Sequence, residues 1–312
     1  MAARSLTTLV TGLFDYAGLY PPAKLEMRAA AEAYARARMG EHAFMLGRFV
    51  CPASRLHKLS EAASIMMPGT HGTSGYREHA DVLEPWGVSA VIDVPLGEAL
   101  ELIEAFDEHH AMEDHGLARV ESIELRAESP AFIDDALDEI PDDLEPFFEL
   151  PIEQDCRGFV AALAGNEASA KIRCGGVTPG AIPPSGQVAS FLLACRGAGV
   201  PFKATAGLHH PLRAEHRLTY EEGGPRGVMH GFVNLWMAAS LVRAREVSQE
   251  TAVEVLEERD PRMFDFGEET ARWRGQEMGI VDIARARETF AVSIGSCSFE
   301  EPVEDLKRLG WL

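Results

Sequence analysis

Short apolar runs alternate with amphipathic segments along most of the chain. Runs rich in β-branched and aromatic residues predict eight strands, at 6–14, 43–50, 88–94, 118–126, 146–150, 170–174, 201–205 and 289–294. The segments between them predict helices, as at 24–38, 97–110 and 187–197, and a glycine-rich loop at 68–75. Strands that alternate with helices indicate a parallel sheet.

Eight strands joined by helices are the number that a closed (β/α)8 barrel requires. We therefore predict an α/β fold of the TIM-barrel class, formed by one domain over residues 1–312. The connection at 213–288, between the seventh and eighth strands, is long and is expected to form a helical insertion or lid. The alternative is an open doubly wound sheet, but no GxGxxG follows the first strand and no GxxxxGK[ST] occurs in the chain.

The charge and the cysteine content of the chain indicate which kinds of partner and which cellular compartment to expect. The net charge of -20 argues against nucleic acid or an anionic membrane, and no apolar run is long enough to span a bilayer. The five cysteines are widely spaced and form no CxxC pair, which favours a reducing cytoplasm over a disulfide framework. We expect a cytoplasmic protein with a small anionic substrate, and the insertion could serve as a contact in a homo-oligomer.

Ionisable residues lie at or near the ends of most predicted strands. In TIM barrels the active site is formed at the carboxyl ends of the strands, and a barrel without a ligand would not need so many charges there. The residues concerned are Asp15, Arg48, Asp93, Glu124, Arg126, Glu149, Lys171, Arg173, Lys203, His209 and His210.

Two lysines on neighbouring strands are the most specific signal. Lys171 and Lys203 fall on the sixth and seventh predicted strands, where a buried amine is costly unless it is paired or used in chemistry. An amine attacks a carbonyl group only in its neutral form, which a second nearby cation favours. The other interpretation is that both lysines are paired with Glu149 and Asp93.

Several other residues predict a site for an anionic group. Arg173 shares the parity of Lys171 on its strand and would bind a carboxylate or phosphate. Glycine-containing turns follow the last three strands and expose backbone N–H groups, which often bind phosphate in barrels. The predicted substrate contacts are Asp15, Arg48, Glu149, Arg173, Gly207, His209, His210, Gly295, Ser296 and Ser298.

A metal site is the main alternative to lysine chemistry. Asp93, Glu124 and Glu149 lie on three consecutive predicted strands and could bind Mg²⁺ or another divalent metal together with His209. In the leading interpretation the protein uses no cofactor.

The order of six short motifs resembles that of the deoxyribose-phosphate aldolase-like class I aldolases, a TIM-barrel family. The motifs are LFDYAGL with Asp15, RFVCPAS, AVIDV with Asp93, AKIRCGG with Lys171, PFKATAGL with Lys203, and SIGSCS. The resemblance implies that Lys171 is the Schiff-base lysine, that Lys203 tunes it, and that Asp93 takes part in proton transfer. Two histidines after the seventh strand, and Ile-Arg-Cys after Lys171, differ from the family pattern and indicate a distant relative.

These observations together predict a Schiff-base lyase of the class I aldolase type. Its substrate would be a small anionic carbonyl compound, with phosphate as one form of the anion. The alternatives are a divalent-metal-dependent lyase or isomerase on the same fold, and a barrel that binds a small molecule without catalysis.

Overall fold

The structure is a computed structural model that describes residues 2–69 and 84–312. Eight parallel strands form a closed barrel, which confirms the predicted TIM-barrel fold. The barrel strands are β1 Phe14–Tyr16, β2 Leu46–Pro52, β3 Trp86–Val91, β4 Ala118–Arg126, β5 Glu145–Glu149, β6 Ser169–Arg173, β7 Phe202–Thr205 and β13 Ala291–Ser296. They pair in the order β1-β13-β7-β6-β5-β4-β3-β2. The glycine-rich loop expected at 68–75 lies outside the described residues from position 70 onward.

Helices connect the strands and cover the barrel. A typical one buries residues at spacings of three and four, as Ala99, Ile103 and Phe106 do on α4. The helices are α1 Arg4–Val10, α2 Met27–Arg38, α3 Leu56–Ala63, α4 Leu96–His110, α5 Pro130–Glu139, α6 Arg157–Leu163, α7 Ser185–Ala198, α8 Phe232–Ala244, α9 Gln249–Glu257, α10 Ile280–Thr289 and α11 Glu300–Arg308. In the described part of the chain, none of them is both long and apolar enough to cross a membrane.

The prediction of a strand at 6–14 was wrong for most of its length. Residues Arg4–Val10 form α1, and only Phe14–Tyr16 belongs to the barrel. Leu6, Leu9 and Val10 are spaced three and four apart and all three are fully buried, so the apolar run fits one face of a helix. A short apolar run is compatible with either element, and packing decides between them.

The insertion at 213–288 contains more than helices. Strands β8 Ala214–Arg217 and β9 Arg226–Met229 form an antiparallel pair, and a three-stranded antiparallel sheet consists of β10 Phe264–Phe266, β11 Thr270–Trp273 and β12 Gln276–Gly279. Its helix α8 is buried on all sides, because it packs against α7, α9 and α10 as well as β13. The expected mostly helical insertion is therefore a mixed α/β segment.

The register of the barrel aligns the charged residues at its carboxyl end. Lys171 on β6 lies opposite Glu149 on β5 and opposite Lys203 on β7. Residues that pair across parallel strands point to the same face of the sheet. All three side chains are therefore directed toward the barrel interior or its mouth.

Candidate active site

A cavity of about 430 Å³ lies at the mouth of the barrel, among the carboxyl ends of the strands and the loops that follow them. This is the end at which TIM-barrel enzymes bind their substrates. Polar and charged residues from seven different segments contribute to its wall. They are Tyr20, Glu124, Arg126, Glu149, Lys171, Arg173, Thr205, His209 and Cys297.

Lys203 lies below this cavity and has no exposed surface. Its ammonium group donates to Oδ2 of Asp15 and to Oε1 of Glu124, both at 2.6 Å. Asp15 also accepts a hydrogen bond from the hydroxyl of Ser293 at 2.7 Å. Burial alone would lower the pKa of Lys203, but the two carboxylates outweigh it and raise the pKa. Lys203 is therefore a fixed positive charge inside the barrel.

Lys171 occupies the equivalent position one strand away and closer to the cavity. Its Nζ is 2.8 Å from Oε2 of Glu124 and 2.8 Å from Oε2 of Glu149. The other oxygen of Glu149 accepts a hydrogen bond from Nε of Arg173 at 3.0 Å. Six groups thus alternate in sign from the barrel interior to its rim, and their formal charges cancel. In order, they are Asp15, Lys203, Glu124, Lys171, Glu149 and Arg173.

Glu124 is the centre of this chain of charges. Each of its two oxygens accepts from a different lysine, and Oε1 also accepts from the hydroxyl of Ser89 at 2.8 Å. Burial would raise the pKa of Glu124, but the ammonium groups of Lys171 and Lys203 lower it well below its usual range. The pKa of Glu149 is also lowered, because Lys171 and Arg173 outweigh its burial. Both carboxylates are therefore ionised at neutral pH.

Tyr20 is one of the residues that line the cavity. Tyr20 belongs to the loop after β1, and its oxygen is buried without a hydrogen bond to any described residue. Burial raises the pKa of Tyr20, and the nearby charge of Glu124 raises it further. The hydroxyl therefore stays protonated and keeps a hydrogen-bond donor that no described residue accepts.

Two guanidinium groups border the outer part of the cavity. Arg173 is half exposed and paired with Glu149. Arg126 follows Glu124 on β4 and is exposed, and no described carboxylate lies within 4.0 Å of it. A guanidinium without an internal partner suits the recognition of a carboxylate or phosphate.

The structure places Asp93 away from the lysines, contrary to its predicted position beside them. Its carboxylate accepts hydrogen bonds from the backbone N–H of Ser54 at 3.0 Å and from the Ser54 hydroxyl at 2.6 Å. The reason is that β3 ends at Val91, so Asp93 follows the strand and joins two neighbouring loops. The acid that contacts both lysines is Glu124, and the interpretation that paired them with Glu149 and Asp93 is correct only for Glu149 and Lys171.

Arg48 was predicted at the mouth of the barrel, and this position is wrong. It lies in the first half of β2, because that strand begins at Leu46. Its side chain binds Glu121 at 2.8 Å and Glu145 at 3.0 Å, among residues that precede β5, β6 and β7. Arg48 therefore joins strands at the amino-terminal end of the barrel and does not reach the cavity.

The turns after the last barrel strands contribute less to the cavity than predicted. Gly295 borders it, but the Ser296 hydroxyl donates to the carbonyl of Ser298, and the Ser298 hydroxyl accepts from the N–H of Glu301. Gly207 has a φ of +70° and lies against Gly175, where a Cβ on Gly175 would be 2.8 Å from the Gly207 Cα. These residues shape the loops, and the two serine hydroxyls are used within them.

The side chains of the adjacent residues His209 and His210 point in different directions. His209 lines the cavity, where it lies beside Cys297 and Glu301. His210 points to α11 instead, where its Nδ1 is 2.5 Å from Asp305 Oδ2 and its ring stacks on His216. Only the first of the pair is therefore in a position to contact a ligand in the cavity.

The alternative metal site is not assembled. Over residues 2–69 and 84–312, no group of three or more histidine, cysteine, aspartate or glutamate side chains could hold a metal ion. The predicted set of Asp93, Glu124, Glu149 and His209 is divided among different partners, and the two glutamates bind lysines.

Tyr20 and Cys297 are site residues that the sequence did not single out. Tyr20 occurs in AGLYPPA, which carries no motif, although its place directly after the first barrel strand is a signal for the mouth. Cys297 lies in SIGSCS, directly after the last barrel strand. Its proximity to His209 depends on a contact between loops that are far apart in the sequence.

No family model, no curated protein and no solved structure matches this chain.

Proposed function

We propose that the protein is a carbon–carbon lyase of the Schiff-base type that acts on a small anionic carbonyl compound, with Lys171 as the nucleophile. The observation that carries the proposal is the position of Lys171. Its Nζ is held between Glu124 and Glu149 at the wall of the cavity, and a second lysine is fixed directly behind it.

The surroundings of Lys171 suit a cation at Nζ. Attack of the neutral amine on a carbonyl carbon gives a carbinolamine, which loses water to form an iminium ion. The iminium keeps a positive charge and one N–H, so one of the two carboxylates still accepts a hydrogen bond from it. The other carboxylate is then free to exchange a proton with the substrate.

Glu149 is the better candidate for this proton exchange. It borders the cavity, with 20% of its side chain exposed, whereas Glu124 also binds the fixed ammonium of Lys203. Glu149 would take the proton that Lys171 loses before attack.

Bond cleavage then follows without an additional reagent. The acid form of Glu149 gives the proton from Lys171 to the hydroxyl that leaves the carbinolamine as water, and the resulting carboxylate then takes the proton of the substrate hydroxyl on the far side of the C–C bond. That oxygen becomes a carbonyl oxygen, the electron pair of the broken C–C bond moves into the iminium to give an enamine, and the first product leaves as a carbonyl compound. A proton from the acid form of Glu149 returns to the enamine carbon, and water releases the second product from Lys171. Arg126 and Arg173 would bind the anionic group, and the Tyr20 hydroxyl would donate to a substrate oxygen.

Reductive trapping tests the proposal directly. The protein is incubated with a panel of carbonyl compounds, including glyoxylate, pyruvate, glycolaldehyde and glyceraldehyde 3-phosphate, and is then treated with borohydride. We expect an adduct on Lys171, identified by peptide mass, and no comparable adduct on the other four of the five lysines. Lys171→Met should abolish the adduct, while Lys58→Met, on α3, should leave it unchanged. No adduct with any member of the panel would refute the proposal.

The second candidate function is a barrel that binds a small molecule without catalysis. One observation favours it: each of the two lysines is already paired with two carboxylates, as expected of a purely structural network. The two functions differ in the trapping experiment. A binding protein would bind an anion from the panel, measurable by calorimetry, without forming an adduct.

A further inference from the structure

Cys297 faces His209 across the wall of the same cavity. Its Sγ lies 3.8 Å from each nitrogen of the imidazole ring. The Nδ1 of this ring is in turn 3.1 Å from Oε2 of Glu301, on the first turn of α11. A thiol, an imidazole and a carboxylate thus follow one another in the order that nucleophilic cysteine sites use.

These three residues come from segments that only the fold brings together. His209 follows β7, Cys297 follows β13, and Glu301 is the second residue of α11. Tyr220 from the insertion donates to the same oxygen of Glu301 at 3.1 Å, and its hydroxyl lies 3.9 Å from the sulfur. Tyr16 on β1 is a further titratable group close to the thiol, and burial raises its pKa to about 12.

We propose that Cys297, His209 and Glu301 form a second nucleophilic site of the cavity, which adds reversibly to the carbonyl carbon of a small aldehyde. His209 takes the thiol proton through Nε2, the nitrogen that Glu301 does not contact, once the ring turns that nitrogen toward the sulfur, and Glu301 accepts a hydrogen bond from Nδ1. The thiolate then forms an S–C bond, the C=O π pair moves to oxygen, and His209 returns its proton to that oxygen. The product is a thiohemiacetal, and no co-reactant is consumed.

The surroundings of His209 support the ion pair. Burial would lower its pKa, but the contacts with Cys297 and Glu301 outweigh burial and raise it to about 10. Over residues 2–69 and 84–312, no histidine lies within hydrogen-bond distance of any of the other four cysteines, whereas the Cys51 thiol bonds to the carbonyl of Pro52. Burial raises the pKa of Cys51 and of Cys174 to about 12, and both remain thiols.

Alkylation by iodoacetamide tests the thiolate. At pH 6.5 an ordinary thiol with a pKa of about 8.5 is only about 1% ionised, so a preformed ion pair can react up to about a hundredfold faster. We expect Cys297 to be alkylated first of the five cysteines. His209→Gln should slow it about tenfold or more at pH 6.5 and little at pH 9.5, whereas His210→Gln should have no effect. The ion pair would be refuted if Cys297 were alkylated at pH 6.5 at the rate of free cysteine, or if His209→Gln did not change the alkylation rate.

Limited access to the cavity could slow alkylation by itself, so the thiolate is also measured without a reagent. The ultraviolet absorbance of the thiolate, as the difference between wild type and Cys297→Ser, should be present at pH 6.5 and be lost in His209→Gln. Its absence at pH 6.5 would overturn the proposal regardless of access. Cys174→Ser is the matched control and should not change the spectrum.

Addition to a carbonyl is tested with ¹³C-labelled glyoxylate and NMR. The site does not depend on Schiff-base chemistry, so the two activities are separated by two variants. A thiohemiacetal carbon signal should appear with wild type and with Lys171→Met, and disappear with Cys297→Ser. If the signal is absent in all three proteins, or persists in Cys297→Ser, the second nucleophilic site is refuted while the trapping result on Lys171 stands unaffected.

Discussion

Lys171 and Lys203 lie directly opposite each other across β6 and β7, yet only Lys171 reaches the cavity. The side chain of Lys171 is 7% exposed, and that of Lys203 is 0% exposed. Glu124 holds one lysine with each of its oxygens. The structure thus separates a charge that is fixed inside the barrel from an amine that a small molecule can approach.

The first prediction concerns stability. Lys203→Met leaves Asp15 and Glu124 buried without their shared cation, so we expect a loss of about 3–5 kcal/mol in the free energy of unfolding. Lys171→Met should cost clearly less, because Glu124 keeps Lys203 and Glu149 keeps Arg173. Urea denaturation of the two variants measures the difference. Equal losses would contradict the division between a fixed and an accessible lysine.

The second prediction separates stability from function at Tyr20. Its hydroxyl is buried without a partner among the described residues, which costs about 1–3 kcal/mol. Tyr20→Phe should therefore leave the free energy of unfolding unchanged or raise it, while the rate of borohydride trapping falls. Tyr34→Phe is the matched control, because its hydroxyl donates to the Gly47 carbonyl at 2.8 Å. That variant should lose about 1 kcal/mol of stability and keep its trapping rate.

The barrel itself could be predicted from sequence, because strand and helix patterns alternate over most of the chain. The strand at 118–126 was predicted with the bounds that β4 has, and β6 and β7 differ from their predictions by one residue at one or both ends. The first strand was predicted wrongly because a short apolar run fits a helix or a strand equally well, and only tertiary packing selects between them. The strands of the insertion were missed for a different reason: they are four residues or fewer and mostly polar, as in AEHR and QEMG, so no apolar pattern marks them.

The site was predicted in part. Lys171, Arg173, Glu149 and His209 line the cavity, as expected from their places at strand ends. Asp93 and Arg48 do not line the cavity. The strands β2 and β3 begin and end two or three residues away from their predicted bounds, and such a shift moves a side chain away from the mouth of the barrel. The bond between Glu124 and Lys203 crosses the barrel from β4 to β7, and no local pattern encodes such a contact.

The third prediction concerns the anionic part of the substrate. Arg126 has no ion pair with any described residue, so Arg126→Ala should slow trapping by glyoxylate about tenfold and leave glycolaldehyde nearly unchanged, because only glyoxylate carries a carboxylate. Arg157→Ala removes an exposed arginine that pairs with Asp155 and serves as the control. Equal effects on the two aldehydes would mean that Arg126 acts on the fold and not on the anion.

The fourth prediction is the response to acid. The pKa values of Glu124 and Glu149 are lowered in the folded state, so their contribution to stability is present above the unfolded value of about 4.3. It is lost as the pH falls through the lower folded-state values. Glu149→Gln should therefore make the free energy of unfolding less dependent on pH below about 4.3. Glu61→Gln, an exposed residue of α3, should leave the acid dependence as it is in wild type.

The last prediction concerns the stability of the protein at alkaline pH and the contribution that His209 makes to it. Its pKa is raised to about 10 in the folded state, against about 6.5 when unfolded, because Cys297 and Glu301 outweigh its burial. A raised pKa contributes stability that is complete below about pH 6.5 and declines as the pH rises through about 10. In the proposed ion pair the proton that His209 holds is the one that Cys297 has lost, so the folded and unfolded states bind equal numbers of protons between about pH 6.5 and the unfolded thiol value of about 8.5. The free energy of unfolding of wild type should therefore fall relative to His209→Gln only above about pH 8.5. Urea denaturation at pH 6, 8 and 9.5 measures this fall, and His57→Gln, an exposed residue of α3, corrects for the buffer. If the free energy of unfolding depends on pH in the same way in wild type and in His209→Gln, the imidazole is neutral in the folded protein. Its contacts with Cys297 and Glu301 would then not be ion pairs.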